Sequence, residues 1–335
     1  MKKNLRLIFI FGIFIFLSVS VALHFIKSDE KNPAFAIKSA ENSVMDHDKE
    51  KFYKFVNVDS LINSSYDEVV EGLTDSDKSI SIDARDAVKN FTQMLKAPLM
   101  LSLKTAIDDY VSTGKLNESA DFGVREFLSR TGIDRIEYRG FENISLNPEN
   151  NKESVADMKI FQPELGGEFI FKVVLNLNDK DEWQIVGVQN FRDFVAQIAE
   201  VRREKLENYL SRTNEINSVH DKIIEDAEQK YNSVLDEGSL GNESTRAELK
   251  KLMLEIKEDW KIRKQELSNS DVPYDAKTLH NLRIKICDLK ISYAAEYADW
   301  MNDKKAATIK SAEEKRRQAK TLITEANNLR KRMEN

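Results

Sequence analysis

Cysteine is nearly missing from this 335-residue chain, which has only Cys287. An intramolecular disulfide and a four-cysteine zinc site are therefore both excluded. Histidine is scarce as well. Of the four, His24 lies in an apolar run, while His47, His220 and His280 each stand without a second histidine at ligand spacing, so no HExxH-type metal motif exists. Asp46-His47-Asp48 is the one local group with metal-ligand chemistry, and it reads more simply as a helix-to-helix corner capped by aspartate. There is no phosphate-cradling glycine loop, nucleophile elbow or Cys/His arrangement. The sequence thus assigns no catalytic residue, no metal and no cofactor, and it reads as a non-enzyme. Breakers are also rare beyond Asn190, where only Gly238, Gly241 and Pro273 interrupt the chain, which leaves long helices.

What is present is charge. Charged residues make up 32% of the chain, against about 25% in ordinary globular proteins, and the excess points to solvent-washed helices. Hydrophobic residues, at 41%, are too many for a wholly disordered chain. The charge is unevenly placed. Residues 1–26 hold three basic and no acidic residues, residues 27–190 hold 20 basic against 30 acidic, and residues 191–335 hold 28 against 27. An acidic middle region repels phosphates, so nucleic acid is not an expected partner. Within the last region, residues 304–335 carry ten basic and four acidic residues, a basic stripe of the kind a solvated helix face displays.

From Leu7 to Ile26 the chain runs for 20 residues without a charge, about 30 Å as a helix, which matches the hydrocarbon core of a bilayer. Leu7, Phe11, Phe14, Leu17, Val21 and Leu23 are the expected lipid-facing anchor. Ser20-Val21-Ala22 offers the small residues of a cleavage site, but the apolar core exceeds the roughly 7–15 residues of a signal peptide. Lys2, Lys3 and Arg6 precede the run, so the positive-inside tendency keeps the N-terminus cytoplasmic and places residues 27–335 outside the cytoplasm. The expectation is a single-pass cell-membrane protein with lipid as its first partner.

Residues 32–190 read as an α+β domain. Asn32-Pro33 starts a helix carrying Ala36, Ile37, Ala40 and Val44, and a short second helix carries Phe52, Phe55 and Val56. Leu61, Ile62, Val69 and Val70 continue the helical period. Residues 83–111 place Phe91, Met94, Leu95, Leu99, Leu103 and Ile107 on another helix, kinked or interrupted at Pro98. A short helix around Phe122–Leu128 ends at Thr131-Gly132. The period then changes to two. Four strands follow, around Ile133–Phe141, Val155–Phe161, Phe169–Leu177 and Trp183–Val188, with turns at Gly166-Gly167 and Asn178–Asp181. No helix-length segment separates them, so the sheet is expected to be an antiparallel meander.

Pro33, Ala34, Ile37 and Ala40, then Asp48, Phe52, Phe55, Val56 and Asp59, and finally Trp183-Gln184-Ile185-Val186-Gly187-Val188 carry a resemblance. They resemble membrane-anchored bacterial domains of unknown function that are similar to the nuclear transport factor 2-like, or cystatin-like, cone. The resemblance implies helices packed inside a curved antiparallel sheet. It implies no single function, because members range from scaffolds to small-molecule binders and a few enzymes. A cone packed solid by Phe91, Leu95, Phe169, Phe171 and Trp183 would leave no room for a ligand.

Residues 191–335 read as three long helices of an antiparallel, coiled-coil-like region: about 191–235, about 245–267, and one beginning near Ala276 and running to the end. At 1.5 Å per residue these span roughly 68, 35 and 87 Å, so the second cannot cover the third. The stripe Ile309, Ala312, Ala319, Ile323, Ala326 and Met333 on its far half is therefore either part of a frayed or single helix held by charge pairs or the candidate face for a protein partner or for self-association. Cys287 lies beside an apolar stripe and is expected to be packing rather than a reactive thiol. The function expected from the sequence is an extracytoplasmic interaction or scaffolding module, the alternative being small-molecule or lipid binding in the cone.

Overall fold

The computed structural model describes residues 32–76, 82–115 and 122–334, which fall into two compact units, Met1–Val201 and Arg202–Asn335. Among these residues no helix is long and apolar enough to cross a membrane. The run Leu7–Ile26, with its six anchor residues, lies outside the described residues.

The first unit is α+β. Helix α1 (Pro33–Met45) begins where the Asn32 side chain accepts the Ala34 amide at 2.9 Å and Pro33 supplies a helical φ without losing a needed donor. It ends at His47, whose positive φ of 58° turns the chain and whose ring Nδ1 meets the Val111 carbonyl at 3.1 Å. Asp48 then caps α2 (Lys49–Phe55) by accepting the Lys51 amide at 2.9 Å. The Asp46-His47-Asp48 corner is thus a capping element, as its composition suggested. Helices α3 (Val58–Ser76), α4 (Ile82–Thr113) and α5 (Phe122–Thr131) follow. Helix α4 runs unbroken through Pro98, where the sequence suggested a kink or an interruption. Gly132 takes a φ of 76° and sends the chain through a short 3₁₀ turn, Ile133–Arg135, into the sheet.

Strands β1 (Glu137–Leu146), β2 (Glu153–Gln162), β3 (Gly167–Leu177) and β4 (Trp183–Val188) lie in the order β1-β2-β3-β4, each neighbouring pair antiparallel. This is the meander expected from strands too close in sequence for crossovers. Strand β1 starts later than its apolar residues suggest, because Ile133 is spent on the 3₁₀ turn. The β1–β2 register shifts between Tyr138 and Gly140 and again between Glu142 and Ser145, as extra residues bend an edge strand. Ala156, Met158 and Ile160 of β2 and Phe171, Val173 and Leu175 of β3 alternate into the core, where the helices cover them. Trp183 is buried in the same core.

The second unit is a four-helix antiparallel bundle, not three helices. Helix α6 (Phe191–Glu237) contributes residues to both units: Phe191, Phe194, Val195 and Ile198 belong to the α+β core, and the division falls at Val201 rather than Asn190. Its later residues pack with α7 (Glu243–Ser268), α8 (Lys277–Asp303) and α9 (Ala306–Glu334). The expected third helix breaks at Lys304, which takes the left-handed conformation at φ 50°, ψ 25°. Asp303 builds the turn, its carboxylate accepting the Lys305 amide at 2.9 Å and the Thr308 hydroxyl at 2.8 Å. The fold-back sets Lys315 of α9 against Glu296 of α8 at 2.6 Å and Arg330 of α9 against Asn214 of α6 at 3.3 Å.

Polar side chains fix the bundle register. Arg263 donates to Asn217 at 2.7 Å and to Asp221 at 2.7 Å, while Arg283 donates to Thr213. Both guanidinium-bearing residues are buried, and such groups hold only where the register supplies acceptors. Cys287 is buried, and burial pushes its thiol up to about 11, which fits packing rather than reactivity.

Candidate functional site

Helical periodicity lays Leu61, Ile62, Ser65, Tyr66 and Val69 along one side of α3, and Leu103 and Ile107 one turn apart on the facing side of α4. Phe127 and Leu128 of α5 come from a third side, and Met158 and Phe171 rise from the sheet. These side chains do not meet completely. They line a partly open apolar cavity of about 100 Å³, larger than the voids a close-packed interior ordinarily leaves. Among the described residues Ser65 and Tyr66 are the only hydroxyl-bearing ones in the wall, and no acid, base or thiol lines it.

Tyr66 shapes the wall without offering its hydroxyl to the interior. The phenol donates to the Thr92 carbonyl at 2.6 Å, and its ring stacks on Phe127 with centroids 6.1 Å apart. Burial, with Asp67 nearby, raises its pKa, so the hydroxyl stays neutral. Lys96 lies 5.5 Å from the outer face of the same ring. An apolar space of this kind stays dry and takes up small hydrocarbons; a cavity of about 150 Å³ lined by Leu, Ile and Phe binds benzene.

The cone-filling residues divide. Phe171 and Trp183 are buried and Phe169 is half-buried against the core, its ring 5.0 Å from that of Phe171. Phe91 and Leu95, expected inside, are exposed instead. The core-facing arc of α4 is set by Leu103, Ile107, Tyr110 and Val111, and Phe91 falls about 160° around the axis from Ile107.

The candidate partner face on α9 is also corrected. Ala312, Ala319 and Ala326 are buried within the chain, Ile323 and Met333 are half-buried against the bundle core, and Ile309 is half-buried too. The small side chains are there because α8 lies close, and the stripe is closed by its own fold rather than open to a partner.

The site that sequence reasoning missed among titratable groups is His220. It is buried between α6 and α7, with Nδ1 2.8 Å from Asp259 and Nε2 3.2 Å from Glu266. Its partners lie 39 and 46 positions away, beyond any local spacing rule. Among the described residues no group of three His, Cys, Asp or Glu side chains is arranged to hold a metal ion. No protein family, curated protein or solved structure matches the chain.

Proposed function

We propose that the chain is a single-pass, membrane-anchored extracytoplasmic module whose α+β unit binds a small apolar molecule in the cavity between α3, α4, α5 and the sheet. The observation that carries the binding role is the cavity itself: about 100 Å³ bounded by hydrocarbon, with its tyrosine hydroxyl already engaged by Thr92. Such a wall solvates apolar groups and offers no general acid or base, so binding rather than a reaction suits it. The size suits an aromatic ring or a short branched alkyl chain. The resemblance to the cone of membrane-anchored bacterial domains points in the same direction, since cones of that kind include small-molecule binders. The anchor and its orientation rest on the uncharged run Leu7–Ile26 and the three cations before it.

Thermal unfolding of the detergent-solubilised full chain in benzene, toluene or a short branched alcohol tests this. A ligand at ten times its dissociation constant stabilises by about 1.4 kcal/mol, so a rise in the α+β transition that grows with the logarithm of ligand concentration is expected. Leu103→Trp, or Ile107→Phe should the first variant fold poorly, fills the space and should abolish the rise. A parent chain that responds to none of these compounds, or a rise that survives in a folded cavity-filling variant, would overturn the proposal.

A further inference from the structure

Beyond the cavity, the outer side of α4 carries large apolar side chains that lie exposed among the described residues. Phe91 is 61% exposed, Met94 77%, Leu95 46% and Leu101 68%. With Pro98, also exposed, they fall within an arc of about 120° and along about 15 Å of the helix. Contiguous apolar surface of this kind marks a contact site more often than an accident of folding.

This stretch of α4 carries no acid. Residues 27–190 hold 30 acidic side chains, yet the 21 residues from Ala87 to Ile107 hold none. The cations of this stretch whose side chains are described turn toward α3: Lys96 meets both Asp67 carboxylate oxygens at 2.8 Å, and Lys104 meets Asp59 at 2.7 Å. Between Phe91 and Leu101 the outer arc holds no polar or charged side chain that must be desolvated before it enters an apolar phase. A protein partner chosen by charge has nothing here to recognise.

The anchor supplies the apolar phase. Only six residues, 27–32, separate Ile26 from Pro33, a reach of about 25 Å when fully extended. A domain of about 150 residues is itself roughly 30–40 Å across, so this tether is short enough to let one of its faces rest on the bilayer. We infer that the outer face of α4 is that face, and that Phe91, Met94, Leu95 and Leu101 insert at the lipid surface to which the chain is anchored. The inference rests on the anchored reading proposed above. In this arrangement α4 has its outer face in lipid while Leu103 and Ile107 on its inner side line the cavity.

The test uses the full chain with Cys287→Ala and Met94→Cys, labelled with an environment-sensitive fluorophore and reconstituted into phosphatidylcholine vesicles. The chain should float with the vesicles, and the label should shift to the blue and be quenched by lipids carrying a nitroxide on the acyl chain. In a second preparation labelled at Leu101→Cys, adding Phe91→Glu and Leu95→Glu, both at exposed positions, should abolish that quenching. A floating chain whose label is quenched by aqueous iodide and not by the lipid nitroxide overturns docking while leaving the anchor intact. Shielding that rises with protein density without nitroxide quenching assigns the face to a second copy and overturns the lipid surface as its occupant. Failure to float removes the anchor, and the docking with it.

Discussion

Glu41 shows what a single buried side chain does to the pH dependence of the fold. It lies on the face of α1 that meets β1, buried, with Oε1 accepting the Tyr138 hydroxyl at 2.7 Å and Oε2 lying 3.5 Å from Lys38 Nζ. Burial raises its pKa, opposed in part by the Tyr138 hydrogen bond and the Lys38 charge. The unfolded chain therefore releases this proton at the ordinary carboxylate pH, while the folded chain keeps it to higher pH. Across that window the folded state binds more protons, so Glu41's contribution is fully present below the unfolded pKa and is lost as pH rises through the folded one. Glu41→Gln keeps an acceptor for Tyr138 and removes the titration. The variant should be more stable than the parent at pH 7, and the difference should shrink toward zero as pH falls below the ordinary carboxylate value. Denaturant titrations at several pH values check it, and a constant difference would refute the assignment. Capping at the residue scale was legible in the sequence, since Asn32 and Asp48 act within three residues of themselves. The His220 pairing with Asp259 and Glu266 was not, because it depends on the register between two helices.

Among elements, the strands were the most legible, because β2 and β3 are half-buried surfaces whose period-two pattern is written directly in Ala156, Met158, Ile160, Phe171, Val173 and Leu175. The break between α8 and α9 was hidden for an equally physical reason. A helix end is usually announced by glycine or proline, and here the left-handed position is filled by Lys304. A non-glycine residue pays about 1 kcal/mol or more for that conformation. The turn holds because Asp303 caps the following helix and α9 then buries against α8. Lys304→Gly should relieve the strain and raise stability by about 0.5–1 kcal/mol, after allowing for glycine's freer unfolded state. Lys304→Pro, whose ring fixes φ near −65°, cannot adopt the turn and should destabilise by several kcal/mol in the opposite sense. Calorimetry of the two variants beside the parent distinguishes them, and a glycine variant less stable than the parent would mean that the helix is continuous.

Whole-molecule features follow from how lengths and faces match, and these the periodicity conveyed only in part. An apolar cavity is a property of what fails to meet, and no residue pattern spells a vacancy; Phe91 and Leu95 have the spacing of core residues and are exposed. The mismatch of helix lengths in residues 191–335, by contrast, was a legible signal that something had to cover the far half of the chain. The structure resolves it by fold-back: α7, α8 and α9 have 26, 27 and 29 residues, about 39, 41 and 44 Å, so each nearly spans its neighbour. Helix α9 is then an integral wall of the bundle. It contributes Ala312, Ala319 and Ala326 as buried contacts and Leu322, Ile323, Leu329 and Met333 as half-buried ones. At roughly 1 kcal/mol for each half-buried aliphatic side chain, removing it costs about 4–5 kcal/mol, comparable with the entire net stability of many domains. Truncation after Asp303 should therefore melt or nearly melt the 202–335 unit, exposing the ring cluster of Tyr293, Tyr297 and Trp300, while leaving the α+β transition close to its parent midpoint. Differential scanning calorimetry with tryptophan emission from Trp260 and Trp300 reads both outcomes. A truncated chain whose bundle unfolds at the parent temperature would show that α9 is an appendage, and would return its stripe to the surface as a face for another molecule.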